Sequence, residues 1–430
     1  MLGWEFPPLI NGGLGIACLG MGKAMAAHTN LTFFLPKTDP DYAVSKLELI
    51  GFNHLEPPAA SVSGGETQFR SFASVETIPA DLLPYVEPGE PTTLHSESTS
   101  STSVPPTEKL APFGAEDLAL FQGEALYGDD VGEKVMRYAR VAAGLAEDRE
   151  FDLVHAHDWM TFPAGVEIKR RTGKPLVLHV HSLSYDRGGP DARGWVFDVE
   201  KAAMDEADLV IPVSRYTGTI CTGHYGIDPK KVHFVHNGAE PVDIFHTKKP
   251  FPEKLVLFLG RLTGQKGPEF FLEIAAKVLK TNRDVRFVMA GTGEQLKPLI
   301  EAGAFHDVGD RLHFTGFLNK EKVNHLLSMT DVYVMPSVSE PFGLSALEAA
   351  QFDIPAVISK QSGVAEVLTH AHMADYWDVE LMAAHINELL TDPDAHAAAV
   401  EASLEDQRNC TWEAAAGRIT ELYRQQLGAG

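Results

Sequence analysis

"DVYVMPSVSEPFGLSALEAAQFDIPAVIS", residues 331–359, sets two short apolar runs around a turn and a helical pattern. An apolar run too short for a helix, stopped by Pro and followed by an amphipathic segment, reads as a buried strand feeding a helix. The second run is then a neighbouring parallel strand, because parallel strands need a crossover and a helix is the usual one. Glu340 falls in the Pro-Phe-Gly turn, and Glu348 about one turn into the helix.

The same rhythm extends upstream. "LVLFLG" (255–260) precedes the helical "PEFFLEIAAKVLK", where Pro268 suits a helix start. "VRFVMAG" precedes "EQLKPLIEAG", and "RLHFTG" precedes "KEKVNHLLSM". Nearer the start, "LGWEF", "NLTFFLPK", "FDLVHAHD", "PLVLHVHS", "ADLVIPVS" and "KVHFVHN" read as strands. "LGIACLGMGKAMAAH" and "GEKVMRYARVAAGLAED" read as helices. Strands alternating with helices predict an α/β fold with parallel sheets. "PVDIFHTKKPFPEK" (241–254), rich in Pro and Lys, reads as a linker between two such units. Residues 56–112 break the pattern with "EPGEPTT", "SESTSSTS" and "VPPTEK", and read as a long low-complexity surface insert.

Composition narrows the function. The 430 residues are enough for two or three domains, and 44% hydrophobic against 22% charged residues predicts a globular chain. A net charge of -23 argues against nucleic acid and anionic membranes as partners. Three scattered cysteines, no basic leader and no long apolar run predict a cytoplasmic protein without disulfides or an integral membrane segment.

In open α/β sheets, ligands bind beyond the carboxyl ends of the strands. Arg261 and Lys266 in "GRLTGQKG" put two cations on such a loop, beside a helix start that suits a phosphate or diphosphate. Gly13 and Gly15 in "GGLGIACLG" would let backbone N–H groups approach a phosphate in the same way. This is not the G-x-G-x-x-G dinucleotide pattern, and an NAD site is weakly supported. Gly343 and Leu344 place further backbone donors at a helix N-terminus. The alternatives are a solvated loop for the cations, a tight turn for the glycines, a backbone cap for Glu340 and a solvated helix face for Glu348.

His155, His157, His179 and His181 cluster at strand ends, and alternate residues share a strand face. With no cysteine spacing of the zinc kind, a polar lining role is the better reading, and no metal is expected. Both "DPD" triplets, 39–41 and 392–394, read as turn chemistry.

Taken together, "GGLG", "HAHDW", "GRLTGQKG", "EPFGLSALEA" and the late "TWEAAAGRITELYRQQ" resemble the GT-B retaining glycosyltransferases of family 4, relatives of the glycogen and starch synthases. The resemblance implies two Rossmann-like domains whose parallel sheets face a central cleft. Residues 1–245 would form the acceptor-side domain and 246–407 the nucleotide-sugar domain, with 408–430 a helix crossing back to the first. It implies that Gly13, Gly15, Arg261, Lys266, Gly343 and Leu344 surround the diphosphate of a nucleotide sugar. Glu348 would hold the ribose, the backbone at Phe317 the base, and Glu340 the donor sugar. Asp158 and His181 would line the sugar pocket, His181 near the 6-hydroxyl.

The substrate is then UDP- or ADP-glucose with a saccharide acceptor, and no cofactor is needed. Extension of an α-glucan is the favoured reaction. Alternatives are another donor such as GDP-mannose, another acceptor, or a non-catalytic sugar-nucleotide-binding protein. Three departures bear on this choice. Bacterial glycogen and starch synthases carry Lys where this chain has Ile10, and Cys where it has Phe342. An acid usually stands in family 4 at the position of Ser184.

Overall fold

The computed structural model of the chain describes residues 1–9, 12–56, 113–123, 126–128, 130–242, 244–306 and 308–428. The expected insert therefore lies, from residue 57 on, outside the described residues. The chain divides into two compact units: Met1–Val235 with Trp412–Gly430, and His236–Thr411.

The first unit holds strands β1 (Leu31–Leu35), β2 (Leu47–Gly51), β3 (Val154–His157), β4 (Leu176–Val180) and β5 (Leu209–Pro212). All its strand pairs are parallel, in the orders β1-β2 and β3-β4-β5. Its helices are α1 (Gly13–Met25), α2 (Ala115–Ala119), α3 (Val131–Glu147), α4 (Phe162–Thr172), α5 (Ser184–Gly188), α6 (Trp195–Glu206) and α7 (Arg215–Gly223). Strands β3, β4 and β5 are buried at every position, as expected of parallel strands covered on both faces.

Two expected strands shrink to bridges. In "LGWEF" only Leu2 joins the sheet, inserted between β1 and β3: its N–H donates to the His155 carbonyl at 2.8 Å and its carbonyl accepts from His157 at 3.0 Å. "KVHFVHN" bridges to β5 at Val232, beside Val210, and its His233 and Val235 N–H groups donate to the Val210 and Pro212 carbonyls at 2.9 and 3.0 Å. Behind the sheet, Trp4 meets Tyr138 edge to face at 65° and Phe52 lies tilted against it at 31°, and the Tyr138 hydroxyl donates to the Phe34 carbonyl at 2.9 Å. That bond satisfies a polar atom that burial would otherwise penalise.

The second unit is one six-stranded parallel sheet in the order β11-β10-β9-β6-β7-β8. Its strands are β6 (Lys254–Leu259), β7 (Val285–Ala290), β8 (Leu312–Gly316), β9 (Val332–Met335), β10 (Ala356–Ser359) and β11 (His372–Ala374). Its helices are α8 (Pro268–Thr281), α9 (Leu296–Phe305), α10 (Lys320–Leu327), α11 (Leu344–Gln351), α12 (Val379–Thr391) and α13 (Pro393–Gln407). Pro268 occupies the first turn of α8, where its missing N–H costs nothing, and Phe271, Ile274, Ala275 and Val278 form the buried face. Asn319, Asp378 and Asp392 cap α10, α12 and α13 through side-chain oxygens. The second "DPD" is therefore a helix cap, and the first an Asx turn in which the Asp41 N–H donates to Asp39.

Residues 241–254 are not a free linker. The Ala239 N–H donates to the Cys410 carbonyl at 2.9 Å, which fixes the entry and exit of the second unit together. Phe245 packs on Phe352 at 6.0 Å, and Lys249 pairs with Asp331. The boundary consequently falls at Val235, earlier than the expected residue 245. The chain then returns to the first unit as α14 (Trp412–Gln426), which lies on α1. Gly20 makes that approach possible: a Cβ there would sit 2.3 Å from Trp412 Nε1.

Candidate active site

In the second unit the expected residues gather at the carboxyl ends of β6 and β9. After β6 the backbone passes through Gly260 and half-buried Arg261 into a single 3₁₀ turn, Gly264–Lys266. It enters α8 through Gly267, whose φ of 64° is left-handed. A side chain at Gly267 would meet the Pro336 carbonyl at 2.2 Å, so the β6 and β9 loops touch backbone to backbone. Gly291, after β7, is closer still: a Cβ would lie 1.8 Å from the Gly260 carbonyl.

Gln265 clamps the two loops. Its carbonyl accepts from Val338 at 2.9 Å, and its side-chain amide donates to the Ser339 carbonyl at 3.2 Å. This clamp delivers Lys266 to Glu340, Nζ to Oε2, at 2.5 Å. The Glu340 side chain is only 7% exposed and also accepts from the Ser337 hydroxyl at 3.3 Å. Its backbone is held on both sides: its N–H donates to Gln361 and its carbonyl accepts from Gly363, each at 2.9 Å. Glu340 is thus neither a backbone cap nor a free carboxylate, but half of a desolvated ion pair. Gln265, Ser337 and the 361–363 segment were not among the expected residues, and no local pattern marks them.

Gly343, with a φ of 109°, precedes α11, so Leu344 and Ser345 present first-turn N–H groups at its positive end. Glu348 lies on this helix with a partner the sequence did not suggest, Lys320 of α10, at 2.5 Å. The solvated-helix alternative for Glu348 fails, since its side chain is 21% exposed and paired. Phe317 follows the end of β8 and Gly316, and its ring is exposed.

The first unit, taken by itself, holds a second group of expected residues. Helix α1 opens at Gly13 with no acidic residue in its first turn and no side-chain cap. Gly13 is exposed at this end, and Gly15 is buried. Asp158 leaves β3 in a left-handed conformation, φ 64°. Its Oδ1 accepts from the backbone N–H groups of His181 at 2.9 Å and Ser182 at 3.0 Å. It therefore holds the loop after β4 in place. Burial pushes its pKa up to about 7, opposed by those two N–H groups and by Arg187. Arg187 bonds the Ser182 hydroxyl at 2.9 Å and pairs with fully buried Glu200 at 3.0 Å. Glu200 in turn accepts from Ser184 and Tyr225.

The lining role expected for the histidines fails for three of them. His155, His157 and His179 are buried and stacked, with ring centroids 4.4 Å apart for 155–157 and 5.2 Å for 157–179. Only His181, partly exposed, can meet a ligand, and His157 Nδ1 lies 3.0 Å from its Nε2. Burial lowers the pKa of all four, that of His181 to about 3.

Residues 240–406 match the family model for glycosyl transferases group 1, and residues 107–243 that for Glycosyltransferase Family 4. Among curated proteins, an uncharacterized glycosyltransferase of Methanocaldococcus jannaschii is 31% identical over 51% of this chain, a match spanning 60% of that relative's length. The glycogen synthase of Mycobacterium tuberculosis is 29% identical over 63% of this chain and 70% of its own. Among solved structures, sucrose-phosphate synthase from Thermosynechococcus elongatus superposes with a TM-score of 0.70 at 18% identity, covering 100% of this chain and 98% of that one. The catalytic domain of starch synthase IV from Arabidopsis thaliana, bound to ADP and acarbose, gives 0.69 at 15% identity, covering 99% and 98%. Two Rossmann-like units, loops that bring a lysine to a carboxylate, and family models on both halves agree: the chain belongs to the family 4 glycosyltransferases of GT-B fold, the relatives of glycogen and starch synthases.

Proposed function

We propose that the protein transfers a hexosyl group, glucose in the favoured case, from a nucleoside-diphosphate sugar to a saccharide acceptor with retention at the anomeric carbon. UDP- or ADP-glucose is the donor and extension of an α-glucan the favoured outcome. The observation that carries this reading is the Lys266–Glu340 pair, built by two strand-end loops next to the α11 N-terminus. The ADP named with the starch synthase structure supports a nucleoside diphosphate as the leaving group.

The anomeric C–O bond to phosphate breaks and the nucleoside diphosphate departs with the electron pair. Arg261, Lys266 and the N–H groups at Leu344 and Ser345 stabilise its charge by fixed dipoles and cations. The family resemblance assigns Gly13 and Gly15, at the α1 N-terminus, to phosphate as well. Glu340 faces the sugar as positive charge develops, and His181, positioned through Asp158, meets the 6-hydroxyl. The acceptor oxygen forms its new bond on the face the phosphate leaves, and its proton passes to the departing phosphate oxygen. Direct same-face attack is preferred to a double displacement because Asp158 and Glu340 are both engaged, by two amides and by Lys266 respectively. Phe317 contacts the base through its backbone.

No cofactor enters this scheme. Because cations of the chain offset the leaving charge, transfer is expected to continue at full rate in excess EDTA. Loss of activity restored by Mg²⁺ or Mn²⁺ would contradict this. A screen of nucleotide sugars, with products separated by acceptor, tests the donor. Turnover with GDP-mannose alone would replace glucose, and turnover with no donor would overturn the transferase reading.

Glu348 is assigned to the ribose hydroxyls, with Lys320 fixing its carboxylate. Glu348→Ala removes charged hydrogen bonds worth about 1.5–3 kcal/mol, so nucleoside diphosphate binding should weaken by about tenfold to a hundredfold. Calorimetric titration measures it, and unchanged affinity would remove Glu348 from the site.

A further inference from the structure

Among the described residues, three side-chain groups could accept a metal ion: Cys18/His157/His181, His155/His157/His179 and His372/His385/Glu388. The first two share the histidine stack of the first unit. An ion lies in the plane of each imidazole it binds, and stacked rings cannot aim their in-plane lone pairs at one point. The 155, 157 and 179 rings are tilted by only 2–18°. The 157 and 181 rings are tilted by 29°.

The third group differs. The rings of His372 and His385 are 4.8 Å apart and inclined at 70°, so their lone pairs can converge. His385 and Glu388 stand three residues apart on α12, on one face of the helix. His372 opens β11, the edge strand against which α12 packs. Glu388 Oε2 lies 3.7 Å from His372 Nε2 and 3.9 Å from His385 Nδ1. Both gaps are too long for hydrogen bonds, so the three groups surround a small space without satisfying one another. Ligands around a tetrahedral ion at ~2.0–2.2 Å sit about 3.3 Å apart, a contraction of a few tenths of an ångström along these two edges. Glu388, 52% exposed, is free to rotate to make it.

We propose that His372, His385 and Glu388 bind a divalent late transition-metal ion of the zinc, cobalt or nickel type. Two imidazoles and one carboxylate suit such ions and not calcium or magnesium, which take oxygen ligands. Three protein ligands leave a coordination position open to solvent, so the ion exchanges. The site lies where β11 begins, whereas Arg261, Lys266 and Glu340 follow strand ends. In a parallel sheet those are opposite edges, so this ion takes no part in sugar transfer. Its effect is to tie the short edge strand to α12.

The test uses the full chain, stripped with EDTA, desalted and titrated with Zn²⁺ in a calorimeter, with Co²⁺ absorption as a second probe. One equivalent is expected to bind. His385→Ala and Glu388→Gln should each raise the Kd at least about tenfold, and His179→Leu, in the histidine stack, should leave it unchanged. Absence of Zn²⁺ binding, wild-type affinity in both ligand variants, or loss of binding in His179→Leu would overturn the proposal. Circular dichroism checks each variant's fold. If His385→Ala does not fold, the exposed Glu388→Gln decides alone.

Discussion

Glu340→Gln is expected to lower kcat by on the order of 10²-fold or more while leaving nucleoside diphosphate binding intact or tighter. Glutamine keeps the shape of the side chain and removes the negative charge that would face an oxocarbenium-like transition state. A contribution made only there appears in kcat and not in ground-state affinity. The paired lysine gives the prediction its sign for binding. In the structure Lys266 donates to Glu340 at 2.5 Å, so part of its charge is already neutralised before any phosphate arrives. Removing the carboxylate leaves Lys266 for the diphosphate, and affinity should rise by about tenfold, the low end of a charged hydrogen bond's worth. Lys266→Ala gives the opposite pattern, losing both affinity and kcat. Calorimetry with nucleoside diphosphate beside steady-state kinetics reads both variants. A fully active Glu340→Gln, or one that binds nucleotide much more weakly, would show that the two roles are misassigned.

The second large effect is on stability in acid. His155, His157, His179 and His181 all have pKa values lowered by burial, so the unfolded chain takes up protons below pH 6.5 that the folded chain refuses. Stability then falls as pH drops, by about 1.4 kcal/mol per unit for each histidine. Asp158 and Glu200 act the other way. Their pKa values are raised, so the folded state binds their protons first and gains stability as pH falls through the range above their ordinary values. Four histidines against two carboxylates leave a net loss of stability as the pH falls below 6.5. The buried Met1 α-amino group, lowered to about 5, adds in the same sense.

His179 has no hydrogen-bond partner on either ring nitrogen, so His179→Leu should be near neutral at pH 7.5 and progressively stabilising below pH 6.5. Urea midpoints across this range measure both curves. A wild-type midpoint that stays flat down to pH 5 would mean that the ring stack takes up protons in place.

Much of this was legible in the chain because parallel strands buried on both faces leave an unmistakable record. Runs such as "LVLFLG" and "VRFVMAG" are short, apolar and closed by glycine, and strands were found at each. The sequence misled where the same residue types serve two ends. Pro and Lys in 241–254 look like a linker, yet Phe245 and Lys249 pack into the second unit, a pairing set by residues about a hundred positions away. "LGWEF" has strand composition, but only Leu2 reaches both neighbours.

At the site, strand periodicity put His155 and His157 on one face. It could not say that His179 of β4 would stack beside them across a parallel pair and bury the group. The residue types at Lys266 and Glu340 were visible, but their contact spans 74 positions and depends on the Gln265 clamp and the Gly267 approach. Such close backbone approaches leave only a glycine in the sequence, which an ordinary turn leaves as well.

Transfer from a nucleotide sugar with retained configuration is the reaction proposed for Lys266 and Glu340. Proton NMR of the first-formed product, before any mutarotation, addresses it directly with an α-configured nucleotide glucose and a saccharide acceptor. The wild-type chain is expected to give an α-linked product, and Glu340→Gln a rate lowered on the order of 10²-fold or more. A β-linked product, or the same rate in both proteins, would contradict the proposal.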